Sequence, residues 1–565
     1  MQQTKRKQQS FEYGAIILLT STLLVKLIGA VFKIPLSRLI GDLGFGYFSS
    51  AYDLFTPIYA LAMAGLPIAV SRVVAEHMAT GRYRDARNSL KVTKRIFLIT
   101  GLTGLILMLL LINPFVKITD PTGDTVYSLF AIAPALLFCC TMSTYRGYYE
   151  GLRNMYPTAI SDITEALGKL ILGYGFAFIT MKLTHNVAYA AAAAMLGITV
   201  GAAAAALYLR LRYKFKGDAI THQELANSPE PASMKATAKV LITIAIPVVL
   251  SSLANNVASL VDVSMVKSQL VHLVEENADL LREMYHSSIE DYNLFHSAEE
   301  LTNDAIPTFL YGVRSKAFTM YNLIPAITSV LGVSALPVIA SFWSVKNKQG
   351  VKRNIESSIK FTALISLPAG MGFIFAGSGI MGLMYNTVAS VEIGGIMLVI
   401  YGIAACFAGM ATPMTNILQA VNKQVVALRN VAIGAALKVI VNFIFVGIPT
   451  INIKGAAIGT AVSYAFIFFA NLFSIIKYTG VVPNLFKTVI KPLIAALGCG
   501  LTANLILLLL GTGKLYTAFA IVCGAVVYFA MLIILNTFEE EDVLALPKGE
   551  KLLKICLKLR LIRKK

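Results

Sequence analysis

Charge is scarce in this chain. Asp, Glu, Lys and Arg make up 14% of its 565 residues, against about 25% in soluble globular proteins. That deficit excludes a single soluble domain. Disorder is excluded as well, because 56% of the residues are hydrophobic and a disordered chain shows the opposite balance. Cysteine is sparse too. Cys139, Cys140, Cys406, Cys499 and Cys523 lie in apolar runs, Cys556 lies near the end, and no pair has metal-ligand spacing. They read as small buried hydrophobes rather than disulfides or zinc ligands. Recognisable catalytic motifs are also missing. A polytopic glycosyltransferase or ligase needs catalytic carboxylates or a metal motif in a substantial aqueous loop, and neither 267–306 nor Glu539–Asp542 shows one. No catalytic residue, metal or cofactor is therefore expected, and the chain does not read as an enzyme.

What the sequence does have is long apolar runs over most of its length. A spanning helix needs about 20 mostly apolar residues. Fourteen such runs are expected to be transmembrane helices, near 14–36, 45–70, 96–116, 125–148, 157–181, 187–209, 240–266, 307–342, 358–378, 392–420, 426–447, 454–476, 488–510 and 515–536. The first follows Lys5, Arg6 and Lys7 and reads as a retained helix, not a cleaved signal. The fold class is an all-α polytopic membrane protein.

The net charge of +19 would suggest a nucleic-acid partner in a soluble protein. Here the basic residues report topology instead. With the N-terminus inside, 36 of the 49 Lys and Arg residues fall in or beside cytoplasmic segments and 6 in external ones. That asymmetry is the positive-inside pattern. It predicts a multi-pass protein with both termini in the cytoplasm. The external segment 267–306 differs from the rest. It carries nine acids against Lys267 and Arg282 and reads as a solvated cap, with a gate over the outer mouth as the sharper alternative.

A repeat is visible. Gly65–Ser71 (GLPIAVS) recurs as Ala335–Ser341 (ALPVIAS), and Glu165–Lys169 is weakly matched by Gly434–Lys438. The chain therefore reads as an N-terminal six-helix lobe (1–212), a cytoplasmic linker (213–239) and a C-terminal six-helix lobe (240–477). Two extra helices (478–538) and a cytoplasmic tail (539–565) follow. Two parallel repeats are a known transporter plan.

Seven cations remain inside the apolar runs: Lys26, Lys33, Arg38, Lys169, Arg314, Lys316 and Lys438. A centred charge costs about 2.5–3.5 kcal/mol on insertion scales, so such residues face a cavity or a partner. Lys26 and Lys33 are seven apart and share one face of a helix. Lys26, Lys33, Arg314 and Lys316 are the candidate substrate-binding residues. An excess of cations suits an anion, above all a phosphate or pyrophosphate, which accepts several charge-assisted hydrogen bonds. The acids within the runs are Asp53, Asp162, Glu165 and Asp262. Asp162, Glu165 and Lys169 fall on one helix face and read as an ion-pair set, with Lys438 as the counterpart of Lys169. Asp53 and Asp262 either neutralise nearby lysines or bind a coupling ion. Pro57, Pro67, Pro247, Pro325 and Pro337 mark possible hinges.

The stretch Arg146-Gly-Tyr-Tyr-Glu-Gly-Leu-Arg-Asn-Met-Tyr-Pro-Thr-Ala-Ile-Ser161 resembles the segment joining helices 4 and 5 in the stage V sporulation protein B (SpoVB) and polysaccharide-transporter families. Lys26-Leu-Ile-Gly29 with Lys33 resembles the first-helix motif of MurJ lipid II flippases, with lysines here where that family has arginines. Gly65–Arg72 matches too. The resemblance covers most of the chain. It implies the MOP/MATE-like exporter fold and a bacterial plasma-membrane flippase for a peptidoglycan or polysaccharide precursor linked to undecaprenyl pyrophosphate. On it, Lys26 matches a substrate-contacting cation, and Arg314 or Lys316 lies near the eighth-helix cation. The implied partners are the lipid-linked oligosaccharide, membrane lipids and cell-wall synthesis enzymes. A MATE-type, cation-coupled drug exporter is the rival transporter; it would favour an anionic cavity and usually twelve helices.

Overall fold

The computed structural model describes residues 11–63, 65–295 and 300–537. Lys5, Arg6, Lys7, Glu299, Cys556 and the acidic run Glu539–Asp542 lie outside them. Among the described residues the chain is helical throughout, without a strand. That follows from the medium: in hydrocarbon a backbone must satisfy its own polar groups, and a helix does so within one segment. The helices are α1 (Phe11–Met63), α2 (Leu66–Ala79), α3 (Tyr83–Thr119), α4 (Thr125–Ile132), α5 (Ala135–Gly151), α6 (Tyr156–Gly168), α7 (Tyr174–Thr184), α8 (Val187–Lys216) and α9 (His222–Ala226). They continue as α10 (Met234–Met284), α11 (His286–Phe295), α12 (Ile306–Ser344), α13 (Lys348–Met384), α14 (Gly395–Ala420), α15 (Gln424–Val446), α16 (Gly455–Thr479), α17 (Lys491–Leu510) and α18 (Lys514–Ile534).

Twelve helical stretches among the described residues are long and apolar enough to cross a membrane. The first, Thr20–Ala79, is 60 residues long, which is about 90 Å of helix and too long for one crossing of about 30 Å of hydrocarbon. It contains two of the expected spans, joined at Gly41. The 51-residue α10 contains the seventh expected span. The fourteen expected runs are thus roughly compatible with the helices found.

Two of the breaks fall at glycine. Gly41 adopts φ 69°, ψ −169°, which a side chain would obstruct. Gly65, at φ 76°, separates α1 from α2. Pro57, Pro325 and Pro337 lie inside α1 and α12, and Pro67 sits at the start of α2, where its missing N–H costs nothing. Other departures from helical dihedrals occur at Asn277 in α10 and Ala376 in α13.

The chain divides into two compact units. The first comprises residues 1–274 and 302–312, the second 275–301 and 313–565. In the first, α2, α3, α5 and α8 bury Val70, Leu90, Phe97, Met142, Tyr148 and Leu209. In the second, α13, α14, α16 and α17 bury Ile359, Leu367, Met414, Ile417, Ile475 and Ala495. Large apolar side chains are also exposed: Leu110 (69%), Leu508 (75%) and Val522 (61%). That surface is suited to lipid, because monomeric soluble proteins rarely expose extended apolar patches.

Polar segments are fastened to each unit by hydrogen bonds. In the first, residues 217–233 are fastened to the start of α3. Arg87 donates to both Asp218 oxygens at 2.8 and 2.9 Å, and Tyr148 donates to Asp218 at 2.9 Å. Arg84 donates to the Leu225 carbonyl, Asn88 to the Ala232 carbonyl, and the Ala232 N–H to Asp85. Thr221 and Glu224 form a capping box on α9. In the second unit, the acidic stretch after α10 is tied down. Ser287 and Ser288 donate to Glu392, the Val388 N–H to Asp291, and Tyr285 to Asn452.

Candidate functional site

The first unit concentrates most of the charged residues singled out in the sequence. α1 carries an aromatic stripe at spacings of three and four residues: Phe45, Phe48, Tyr52, Phe55 and Tyr59. That spacing keeps them on one helix face, and successive rings have centroids 5.7–6.4 Å apart. Lys33, on the stretch of α1 before Gly41, places its ammonium 5.6 Å from the Tyr52 centroid. Lys169 places its own 4.6 Å from the same ring and 5.5 Å from Phe32. Both lysines and Tyr52 are half-buried.

Lys169 is positioned by close helix packing. Gly168 faces Gly201 so tightly that a Cβ added there would stand 2.6 Å from the Gly201 Cα, and Gly197 abuts Gly173 in the same way. Gly197 and Gly201 are four apart, the small-residue spacing that lets membrane helices approach closely. Residues Lys169–Gly173 form a π turn, a local irregularity frequent at functional sites.

The expected ion pair on this helix exists, but its cation is Arg146. From α5, Arg146 reaches Asp162 Oδ1 at 3.0 Å, Glu165 Oε2 at 3.0 Å and Ser161 Oγ at 2.8 Å. Its planar fork spans two acceptors, which a lysine ammonium matches less well. Lys169 is left to the aromatic rings. Among the described residues, neither Lys33 nor Lys169 has a carboxylate oxygen within 4 Å of its ammonium.

The geometry bounds the cost of this arrangement. Two ammoniums on one ring are at most about 10 Å apart, and like charges at that distance repel by about 1–2 kcal/mol at an effective dielectric of 20. Cation–π attraction returns about 0.5–2 kcal/mol per contact. An anion lying near both ammoniums turns the repulsion into attraction.

The other sequence candidates occupy separate places. Lys26 is exposed on α1. Asp53 is the exception: it follows Tyr52 in α1, lies near enough to Lys33 to interact with it electrostatically, and accepts a 2.6 Å hydrogen bond from Tyr311; Asp262 is buried on α10. In the second unit, Arg314 is buried with its guanidinium 5.3 Å from Phe318. Lys316 is fully buried and lies 3.4 Å from Ser390 Oγ and 5.4 Å from the Tyr385 ring. Lys438 is half-buried on α15. The structure therefore brings together Lys33, Lys169 and Tyr52, and separately Arg146, Asp162 and Glu165.

Several residues escaped the sequence reading. Lys267, assigned to the external segment, is fully buried and donates to Ser50 at 2.7 Å, because α10 runs on past the apolar stretch. Lys360, counted with a cytoplasmic helix end although it falls inside the 358–378 run, is buried in α13. Tyr52 carries no motif, although the aromatic spacing in α1 was there to be read.

Membrane-length helices that bury cations among aromatic rings define a polytopic membrane protein. The chain belongs to the family described as "Polysaccharide biosynthesis protein", which it matches over residues 13–343. It is 24% identical to stage V sporulation protein B of Bacillus subtilis (strain 168) over 547 residues, covering 96% of this chain and 98% of that one. It is 23% identical to the lipid II flippase MurJ of the same organism over 469 residues, 80% of each chain. Its fold matches a solved structure of lipid II flippase MurJ in an inward closed conformation, with TM-score 0.62, 15% identity, and 92% of this chain and 98% of that chain covered.

Proposed function

We propose that the protein is a flippase that moves a glycan precursor linked to undecaprenyl pyrophosphate across the bacterial plasma membrane by alternating access. The observation that carries this reading is the pair of half-buried ammoniums, Lys33 and Lys169, on the Tyr52 ring. A diphosphate answers both charges, whereas a cationic drug is repelled by them. The family match and the lipid II flippase relative point to the same substrate class.

The physical scheme is simple. The pyrophosphate and sugars are too polar to cross hydrocarbon unaided, so they travel along cationic residues while the prenyl chain stays in lipid. Movement follows from two conformations that bind the head group from opposite sides. Both termini lie in the cytoplasm on this reading, and the segment 267–306 is external. The enzymes that build and consume the precursor are the functional partners.

Complementation tests it. The chain is expressed in a bacterium depleted of its essential lipid II flippase. Growth restored by the wild type and lost with Lys33→Ala/Lys169→Ala supports peptidoglycan precursor transport. Growth restored equally by both removes the two lysines from the mechanism. Rescue only of a strain lacking a capsular polysaccharide flippase assigns a different glycan.

A further inference from the structure

Glu165 and Lys169 are four residues apart, the acid first. On a helix that order and spacing is the favourable one for a salt bridge. The pair does not form. Glu165 is engaged by Arg146 at 3.0 Å, and the Lys169 ammonium turns to Tyr52 and Phe32. Arg146 also holds Asp162 and Ser161, so it is fixed at three points on α6, and its side chain is only 14% exposed.

We infer that Arg146 is a positioning residue: by occupying Glu165 it keeps that carboxylate off Lys169 and leaves the Lys169 ammonium available to an anion. The inference rests on the reading of Lys33 and Lys169 as an anion site. Arg146 touches no substrate in this account; it acts through Glu165. Without the guanidinium, Glu165 gains a nearby cation of its own helix as its best partner. The resulting internal ion pair competes with the ligand for Lys169. The acid, not the loss of the arginine as such, is then what blocks binding.

That distinction gives the test. Purified full-length protein in detergent is titrated with geranylgeranyl diphosphate, with geranylgeraniol as the uncharged control. Arg146→Gln is expected to weaken diphosphate binding tenfold or more. Adding Glu165→Gln to it is expected to restore binding to within about threefold of Glu165→Gln alone; melting temperatures are read alongside, because an arginine that only neutralises a buried acid would lose and regain stability with binding, whereas a positioning arginine loses binding in protein that stays folded. Arg146→Lys, which keeps a cation beside the acids, is expected to fall between wild type and Arg146→Gln.

Should Arg146→Gln fail to fold, the charge-neutral triple Arg146→Gln/Asp162→Asn/Glu165→Gln replaces it and is expected to bind the diphosphate. Wild-type binding by Arg146→Gln, failure of Glu165→Gln to rescue, or a folded triple that does not bind would each overturn the inference. Lys169→Ala separates this from the underlying reading. If Lys169→Ala binds the diphosphate as wild type does, the anion site itself is wrong; if it does not bind but rescue fails, only the role of Arg146 is.

Discussion

Lys169→Ala is the sharpest perturbation of the proposed site. The ammonium makes no ion pair among the described residues; its contacts are two aromatic rings at 4.6 and 5.5 Å. Removing it forfeits about 0.5–2 kcal/mol of cation–π attraction per contact and relieves about 1–2 kcal/mol of repulsion from Lys33. Over the two contacts that is about 1–4 kcal/mol lost against about 1–2 kcal/mol gained, so the effects oppose each other in the empty protein and its melting temperature is expected to fall by only a few degrees. With a diphosphate bound, the same change removes a charge-assisted contact of about 1.5–3 kcal/mol, a loss of roughly 10–150-fold in affinity. The assay is calorimetric titration of geranylgeranyl diphosphate, with Lys33→Ala and the double variant alongside. Two lysines sharing one ligand give a double variant that departs from additivity by about 0.5–3 kcal/mol. Unchanged affinity in Lys169→Ala, or strict additivity with Lys33→Ala, would refute the shared site. A large fall in melting temperature would show that the ammonium serves the fold instead.

Other consequences are independent of the ligand. Gly197→Leu forces a side chain into Gly173 and should destabilise the first unit by about 1–3 kcal/mol, read as a lower melting temperature; unchanged stability would mean that this crossing is not tight. Burial raises the Asp218 carboxyl, but Arg87 and Tyr148 more than offset that and hold it below its usual value. A carboxyl depressed in the folded state contributes stability that is present above its unfolded value near 4 and lost as pH falls through the folded value. Amide exchange in 217–233 should thus be flat from pH 5 to 8 once intrinsic rates are removed, and should rise at neutral pH in Asp218→Asn. A pH-dependent release between 5 and 8 would contradict this. In a cysteine-free background, a single cysteine at position 280 should react with an impermeant reagent from outside the cell, and reaction only from the cytoplasmic side would invert the topology.

Much of the fold was legible because a membrane-spanning helix writes itself as a run of apolar residues, and the bilayer fixes the length of that run. Helix ends were less legible. α10 continues through Lys267 to Met284, and nothing in local hydropathy shows that a lysine there is buried against Ser50. The functional residues were partly visible. Lys33 stood out as a charge in an apolar run. Lys169 stood out too, but its spacing from Glu165 suggested a partner that Arg146 takes instead. That exchange depends on α5 lying beside α6, a tertiary fact that spacing along one helix does not carry. Tyr52 was hidden for a similar reason, since an aromatic stripe reads as core until two cations are found on it.

The most direct measurement is translocation itself. Purified protein is reconstituted into liposomes containing a fluorescent disaccharide linked to undecaprenyl pyrophosphate, and the label exposed on the outer leaflet is followed with an impermeant quencher. The account predicts protein-dependent exchange of that lipid between leaflets, lost in Lys33→Ala/Lys169→Ala, with no matching movement of an uncharged prenyl glycoside. Equal movement of both lipids, or full exchange by the double variant, would contradict it.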